Sequence, residues 1–236
     1  VGSFATGYYV DGLGLPWLLA IALGAATAAL SGALVGLPAL RIKGIHLALV
    51  TLGLAIVFQP LSKRFPKFTG GVSGKGIEAK FVAPSWWPGD TRMATAVYRY
   101  LFCIVIVVLA LWATWNLVNS RFGRSMRALR DNDTAAAVYG VDLISARLQT
   151  FAVSAGLAGL CGALQVVLVP FVSQEKFTPQ ASLVIYATAV IGGLGTIWGS
   201  VLGVIASTII GKVGQAAAGA DGLGPIGEFL DLLDES

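Results

Sequence analysis

The sequence predicts an all-α, polytopic transmembrane helix bundle. Between Lys176 and Lys212 there are thirty-five consecutive residues without a charge. Residues 15–40, 44–62 and 148–174 also lack Asp, Glu, Lys and Arg. Charged residues make up 12% of the chain, where soluble domains average about 25%. A helix needs ~20 apolar residues to cross the ~30 Å hydrocarbon core. Lipid-exposed spans must satisfy every backbone group internally, so the runs are helices and not open strands.

The elements follow in order. Residues 1–11 read as the tail of an earlier helix, with Tyr8 and Tyr9 at an interface. Helices are expected at about 15–40, 45–60, 98–119 and 147–169, with two shorter pieces at 183–191 and 197–211. A loop fills 61–93 and a polar segment 120–146. The whole of 1–236 is taken as one transmembrane domain, expected to lack spans at both ends. There is no initiating Met, basic n-region or cleavage site, and the acidic stretch 221–236 stops without a final span.

Residues 120–146 hold Arg121, Arg124, Arg127 and Arg130, which places the segment in the cytoplasm. Alternation puts the 41–43 turn inside as well. It puts 61–93 outside although that loop carries Lys63, Arg64, Lys67, Lys75, Lys80 and Arg92. Trp17, Trp86, Trp87, Trp112 and Trp115 are expected at the interfaces, and Arg99 is expected to snorkel outward.

Small residues are laddered at four-residue spacing. One helix has Gly24, Ala28, Gly32 and Gly36. Another has Ala155, Gly159 and Ala163. The last has Gly199, Gly203, Ser207 and Gly211. Lipid offers no hydrophobic drive for helix association, so close backbone approach across small residues supplies the packing.

The polar segment carries the most chemistry. On a helix, Arg124, Arg127 and Arg130 share about a third of the circumference, with Met126 and Leu129 opposite. Asp131, Asn132 and Asp133 offer a stop and caps. A second short helix over 135–139 ends at Gly140, suited to a left-handed cap. This pair of helices is either a docking element or a solvated basic loop kept for topology. Four arginines without interleaved aromatics do not suggest nucleic-acid binding.

Gly192, Gly193, Leu194 and Gly195 divide the longest run into parts of fifteen and sixteen residues, each short of a full crossing. A mid-membrane break is tolerated only where it is buried or lines a cavity, and a half-helix N-terminus can hold a carboxylate. Residues 192–196, with Thr196, therefore border a translocation pathway or form a tight hairpin between tilted spans. Thr51 is a candidate polar contact in the bundle.

Other features carry less. His46, the only histidine, reads as an interface residue rather than a proton relay. Cys103 and Cys161 sit in apolar runs and suggest neither disulfide nor metal. The stretch from Gly70 to Lys75 is one residue too short for a phosphate loop and has Gly76 where Ser or Thr should hold Mg²⁺. Gly193 and Gly195 lack the βαβ context of a dinucleotide site.

Four motifs then carry a resemblance. From Arg124 the chain reads RSMRALRDND, followed by Ala135-Ala136, three residues and Gly140. This resembles the coupling loop of ABC-importer permeases, with Thr134 where a Glu is often found. Leu37-Pro38-Ala39-Leu40-Arg41 with Gly44, Leu47-Ala48 and Thr51-Leu52-Gly53 is similar to a second block. Thr69-Gly70-Gly71 with Gly74 is similar to a third, and the run from Ile191 to Gly199 to a fourth. Together they resemble the permease subunits of branched-chain amino acid importers, the LivM-like family.

The resemblance implies a heterodimer with a second permease, two cytoplasmic ATPase subunits and an extracytoplasmic substrate-binding protein. It implies no enzyme activity and no cofactor in this chain, with ATP and Mg held by the ATPases. Coupling would fall to Arg124, Arg127, Arg130, Asp131, Ala135, Ala136 and Gly140. Alternatives are a permease of the same family for urea, short amides or sugars, an ion-coupled secondary transporter, or a membrane scaffold. The secondary transporter would be expected to place Asp, Glu or His within its spans.

Overall fold

The computed structural model describes residues 1–39, 45–71, 74–77, 81, 92–174, 177–193 and 195–220. The expectations for 41–43, Gly44, Trp86, Trp87, Glu175, Leu194 and 221–236 lie outside them.

Ten helices and one minimal strand pair are described. They are α1 (Gly2–Asp11), α2 (Trp17–Ala39), α3 (Ile45–Lys63), α4 (Pro66–Thr69), β1 (Lys75–Gly76), α5 (Arg92–Asn119), α6 (Arg121–Asp131), α7 (Asp133–Val138), α8 (Leu143–Leu168), β2 (Phe171–Val172), α9 (Pro179–Gly192) and α10 (Ile197–Ala220). Trp17–Leu37, Met93–Asn119 and Leu143–Leu168 are long and apolar enough to cross a membrane. The pair Gln180–Gly192 and Ile197–Lys212, bent by 117°, adds a fourth if it is one span.

Helices α3, α5, α9 and α10 are longer than the sequence suggests, and α8 starts earlier. α5 begins at Arg92 rather than near 98, and within it the Arg99 Nε donates to the Phe81 carbonyl at 3.0 Å. The same residue packs its ring edge-on to Trp17 and against Tyr98 and Phe102. α8 begins at Leu143 because the Asp142 carboxylate caps it, accepting from the Ile144 N–H at 3.1 Å. Such a cap contributes ~1 kcal/mol.

The chain forms two compact units, Val1–Pro179 and Gln180–Ser236. The first is centred on α1, α2 and α8, and the ladders explain why. A Cβ on Gly32 would run into Ala155, and one on Gly159 into Ala28. Gly36 lies against Phe151, and Gly24 against Thr6. The backbones therefore approach as closely as the missing side chains allow, which is the main source of helix association in lipid. Ile21, Phe81, Cys103, Ala163, Leu164 and Val167 form one buried cluster, and Phe4, Ile77, Val166 and Val172 another. α3 stands further from this core, and Leu52, Leu54, Ile56 and Val57 on it are exposed.

The loop after α3 is stitched down at the far end of α8. Lys75 pairs with Val172 and Gly76 with Phe171, antiparallel. The Gln174 amide donates to the Gly71 carbonyl at 2.8 Å, and the Thr69 hydroxyl donates to the Ser62 carbonyl at 2.7 Å. Gly70 and Gly71 have φ of 74° and 62°, a region that L side chains seldom enter.

In the second unit, Gly192 on α9 meets Gly199 and Gly203 on α10, and a Cβ on Gly203 would strike the Thr188 carbonyl.

Candidate functional site

The segment between α5 and α8 is built from tight local chemistry. Its first corner turns on Gly123, where a Cβ would collide with the Val118 carbonyl. That carbonyl belongs to the last turn of α5, which has no intrahelical donors left for it. Arg127 supplies one: its Nη2 donates to the Val118 carbonyl at 2.9 Å, and its Nε to Gly123 at 3.4 Å. Arg124 donates to the Asn119 carbonyl at 3.4 Å. Cations at a helix C-terminus are favourable by ~0.3–1 kcal/mol when exposed.

The second corner turns on Asn132. It ends α6, and its side-chain oxygen accepts from the N–H groups of Thr134 and Ala135 at 2.9 and 3.0 Å. α7 then closes in a Schellman arrangement. The Val141 N–H donates to the Ala136 carbonyl, the Gly140 N–H donates to Ala137, both at 3.0 Å, and Gly140 sits at φ 80°. Among the described residues nothing lies within 4 Å of the place a Gly140 Cβ would take. Its requirement is conformational, not steric: a side chain in this region costs ~1–2 kcal/mol.

This geometry sorts the residues singled out from the sequence. Arg124 and Arg127 are exposed but engaged on α5, so they hold the corner shut as well as present charge. Arg130 and Asp131 are exposed and make no side-chain hydrogen bond among the described residues. Ala135 is exposed, whereas Ala136 is 2% exposed and faces inward as an anchor. Gly140 forms the tip.

Two residues at that tip escaped the sequence reading. Val138 is 81% exposed and Tyr139 87% exposed. Large apolar side chains directly before the capping glycine, in an otherwise polar segment, were the available signal. Ile144, in the first turn of α8, is 63% exposed as well.

The other candidates lie elsewhere. Gly192 ends α9, and Gly193 and Gly195 both have φ of 105°. The Thr196 hydroxyl accepts from the Gly199 N–H at 3.1 Å, capping α10. Thr51 lies half-buried on α3.

Comparison with known proteins fits this arrangement. The family model described as branched-chain amino acid transport system / permease component matches residues 1–230. The high-affinity branched-chain amino acid transport system permease protein LivM of Salmonella typhimurium is 29% identical over 231 residues, 86% of this chain and 53% of that protein. LivM of Escherichia coli matches to the same extent. The galactose/methyl galactoside import permease protein MglC of Salmonella typhimurium is 27% identical over 192 residues, 76% of this chain and 55% of that protein. The chain thus spans about half the length of these relatives. No solved structure matches. With the match extending over nearly the whole chain, and over the capped corner segment within it, the chain belongs to the family of branched-chain amino acid transport system permease components.

Proposed function

We propose that this chain is the membrane-spanning subunit of an ABC importer for branched-chain or related small amino acids. In this reading α6 and α7 form the cytoplasmic coupling element. Two partner ATPases bind ATP and Mg, a second permease completes a heterodimer, and an extracytoplasmic binding protein delivers the solute. The observation that carries the reading is the tip of α7. Val138 and Tyr139 stand exposed on a segment whose backbone is locked at both ends by Asn132 and Gly140. A rigid projection with an apolar tip and a cationic flank suits insertion into a groove on another protein, because little ordering remains to be done on binding. Arg130, Asp131 and Ala135 would line that contact, while Arg124, Arg127, Ala136 and Gly140 would keep the projection in shape.

The turn of Gly192, Gly193, Gly195 and Thr196 is proposed to border the translocation pathway, and Thr51, in the other unit, is proposed separately as a polar contact in the bundle. The 117° bend supports the first, since such a break is tolerated where it lines a cavity.

The test is uptake by the complete complex. Replacing Gly140 with Leu is expected to leave the subunits assembled while ATP hydrolysis continues without leucine accumulation. Normal leucine uptake by that variant would remove the coupling assignment. The match to a galactoside import permease favours a sugar as the second reading; competition of labelled leucine uptake by unlabelled galactose separates the two.

A further inference from the structure

α8 connects two devices at its opposite ends. It starts at Leu143, just past the Gly140 that closes α7, and ends at Leu168, just short of β2 and Gln174. A helix of 26 residues is ~39 Å long at ~1.5 Å per residue.

Gln174 begins a run of buried polar contacts that finishes on α3. Its Nε2 donates to the Gly71 carbonyl at 2.8 Å. The Gly71 N–H donates to the Thr69 hydroxyl at 3.3 Å, and that hydroxyl donates to the Ser62 carbonyl at 2.7 Å, in the last turn of α3. Gln174, Thr69 and Ser62 are all buried. α3 packs mainly on α4 and only sparsely on α1, α2 and α8. The run from Gln174 therefore fastens the end of α3 to the core, beside a ring contact between Phe68 of α4 and Tyr8 of α1 at 5.0 Å.

The two ends of the Gln174 amide fare differently. Nε2 is bonded, whereas Oε1 is buried and accepts no hydrogen bond among the described residues. Turning the amide over would set Oε1 against the Gly71 carbonyl, two acceptors with no proton between them. Folded proteins seldom leave a buried acceptor dry, and one left so offsets the gain from a bond made nearby. The fastening is thus near balance: it makes one bond and forgoes the hydration that Oε1 recovers on release. A permanent tie has no reason to carry that penalty.

We propose that Gln174 is the catch of a latch. Closed, it holds the end of α3 to the core through Gly71, Thr69 and Ser62. Open, it frees α3 to move away while water reaches Oε1. Resting on the importer reading above, α8 is the rod between the α7 tip and this catch, so movement of the docked ATPases at one end releases α3 at the other. Gln174 acts on α3 through Gly71 and is a positioning residue; the latch does not depend on which solute is carried.

The test measures distances between spin labels on the protein in lipid nanodiscs, first alone and then with the ATPase subunits and ATP. The labels sit on Leu61→Cys, exposed at the end of α3, and Val97→Cys, exposed near the start of α5. α5 is a fixed reference, since its Cys103 and Phe102 pack into the core. Cys161→Ala removes the exposed native thiol. Gln174→Glu, ionised at about pH 9, keeps the shape but has no donor for Gly71 and cannot stay dry. Thr69→Val breaks the run one step further on. Each is expected to raise the population with α3 displaced at least fivefold over the parent, and Thr69→Ser to match the parent. The double variant should go no further than the stronger single, because members of one network are not additive. Unchanged distances in both single variants, or effects that multiply in the double, would overturn the latch. ATPases with ATP should raise the same population at least fivefold in the parent; hydrolysis without that rise would overturn transmission through α8. If no ATPase binds, the importer reading falls and the role of α8 with it, while the variants of the protein alone still decide the latch.

Discussion

Tyr139→Ala separates docking from folding at the tip of α7. In the isolated chain the side chain is 87% exposed, so almost nothing is lost from the fold when it is removed. The backbone role survives, because the Tyr139 N–H still donates to the Ala135 carbonyl and Gly140 still closes the turn. Exposed substitutions of this kind change stability by within about 0.5 kcal/mol. The proposed complex with an ATPase is expected to behave differently. An aromatic side chain buries ~150–250 Å² at an interface, and the lower end of that range is worth about 4 kcal/mol at ~25 cal/mol per Å². Immobilising it takes back ~0.5–1.5 kcal/mol, leaving roughly 2–3 kcal/mol. At ~1.4 kcal/mol per decade, ATPase association should weaken by a factor of about 30 to 150. The assay is titration of the detergent-solubilised protein with the ATPase subunits proposed above, alongside a thermal melt of the protein alone. Association unchanged within threefold, with an unchanged melt, would refute the view that the tip is the docking contact.

The remaining predictions concern the supports. Gly159→Leu forces a side chain into Ala28 on α2 and should destabilise the bundle by ~1–3 kcal/mol or more, read as a lower midpoint in thermal denaturation; an unaltered midpoint contradicts the helix pairing. Gly123→Val drives a side chain into the Val118 carbonyl and should open the α5–α6 corner, making the segment more open to limited proteolysis than in the parent protein. Thr196→Val keeps the shape but removes the acceptor for the Gly199 N–H; a loss of ~1 kcal/mol is expected, and Thr196→Ser should restore it. At the same position, Thr196→Cys should react with an impermeant thiol reagent in at least one transport state, and no labelling in any state argues against a pathway there.

Much of the architecture was readable from residue order because membrane helices are governed by local rules. Charge-free runs, the Asn132 stop and the Gly140 cap each depend on neighbours within five residues, and each is found in place. The ends of α5 and α8 were less legible. Arg99 looked like a boundary until Phe81, eighteen residues away, supplied its acceptor. The resemblance gave Arg127 a coupling role, and its bond to a carbonyl nine residues back could not be read from its spacing. Val138 and Tyr139 read as ordinary helix residues, since nothing in their spacing says which side of α7 is left uncovered.

Composition and spacing by themselves thus determined the all-α membrane class, the paired short helices between spans, and the ladders along which helices could approach. Only the tertiary structure decided which ladder meets which, that Gly32 faces Ala155 and Gly159 faces Ala28, and that α3 stands further from them. The physical reason is that a span such as α2 is apolar all the way round. Lipid and protein neighbours are then equally acceptable to its side chains, and the choice falls to close fit between residues far apart in the chain.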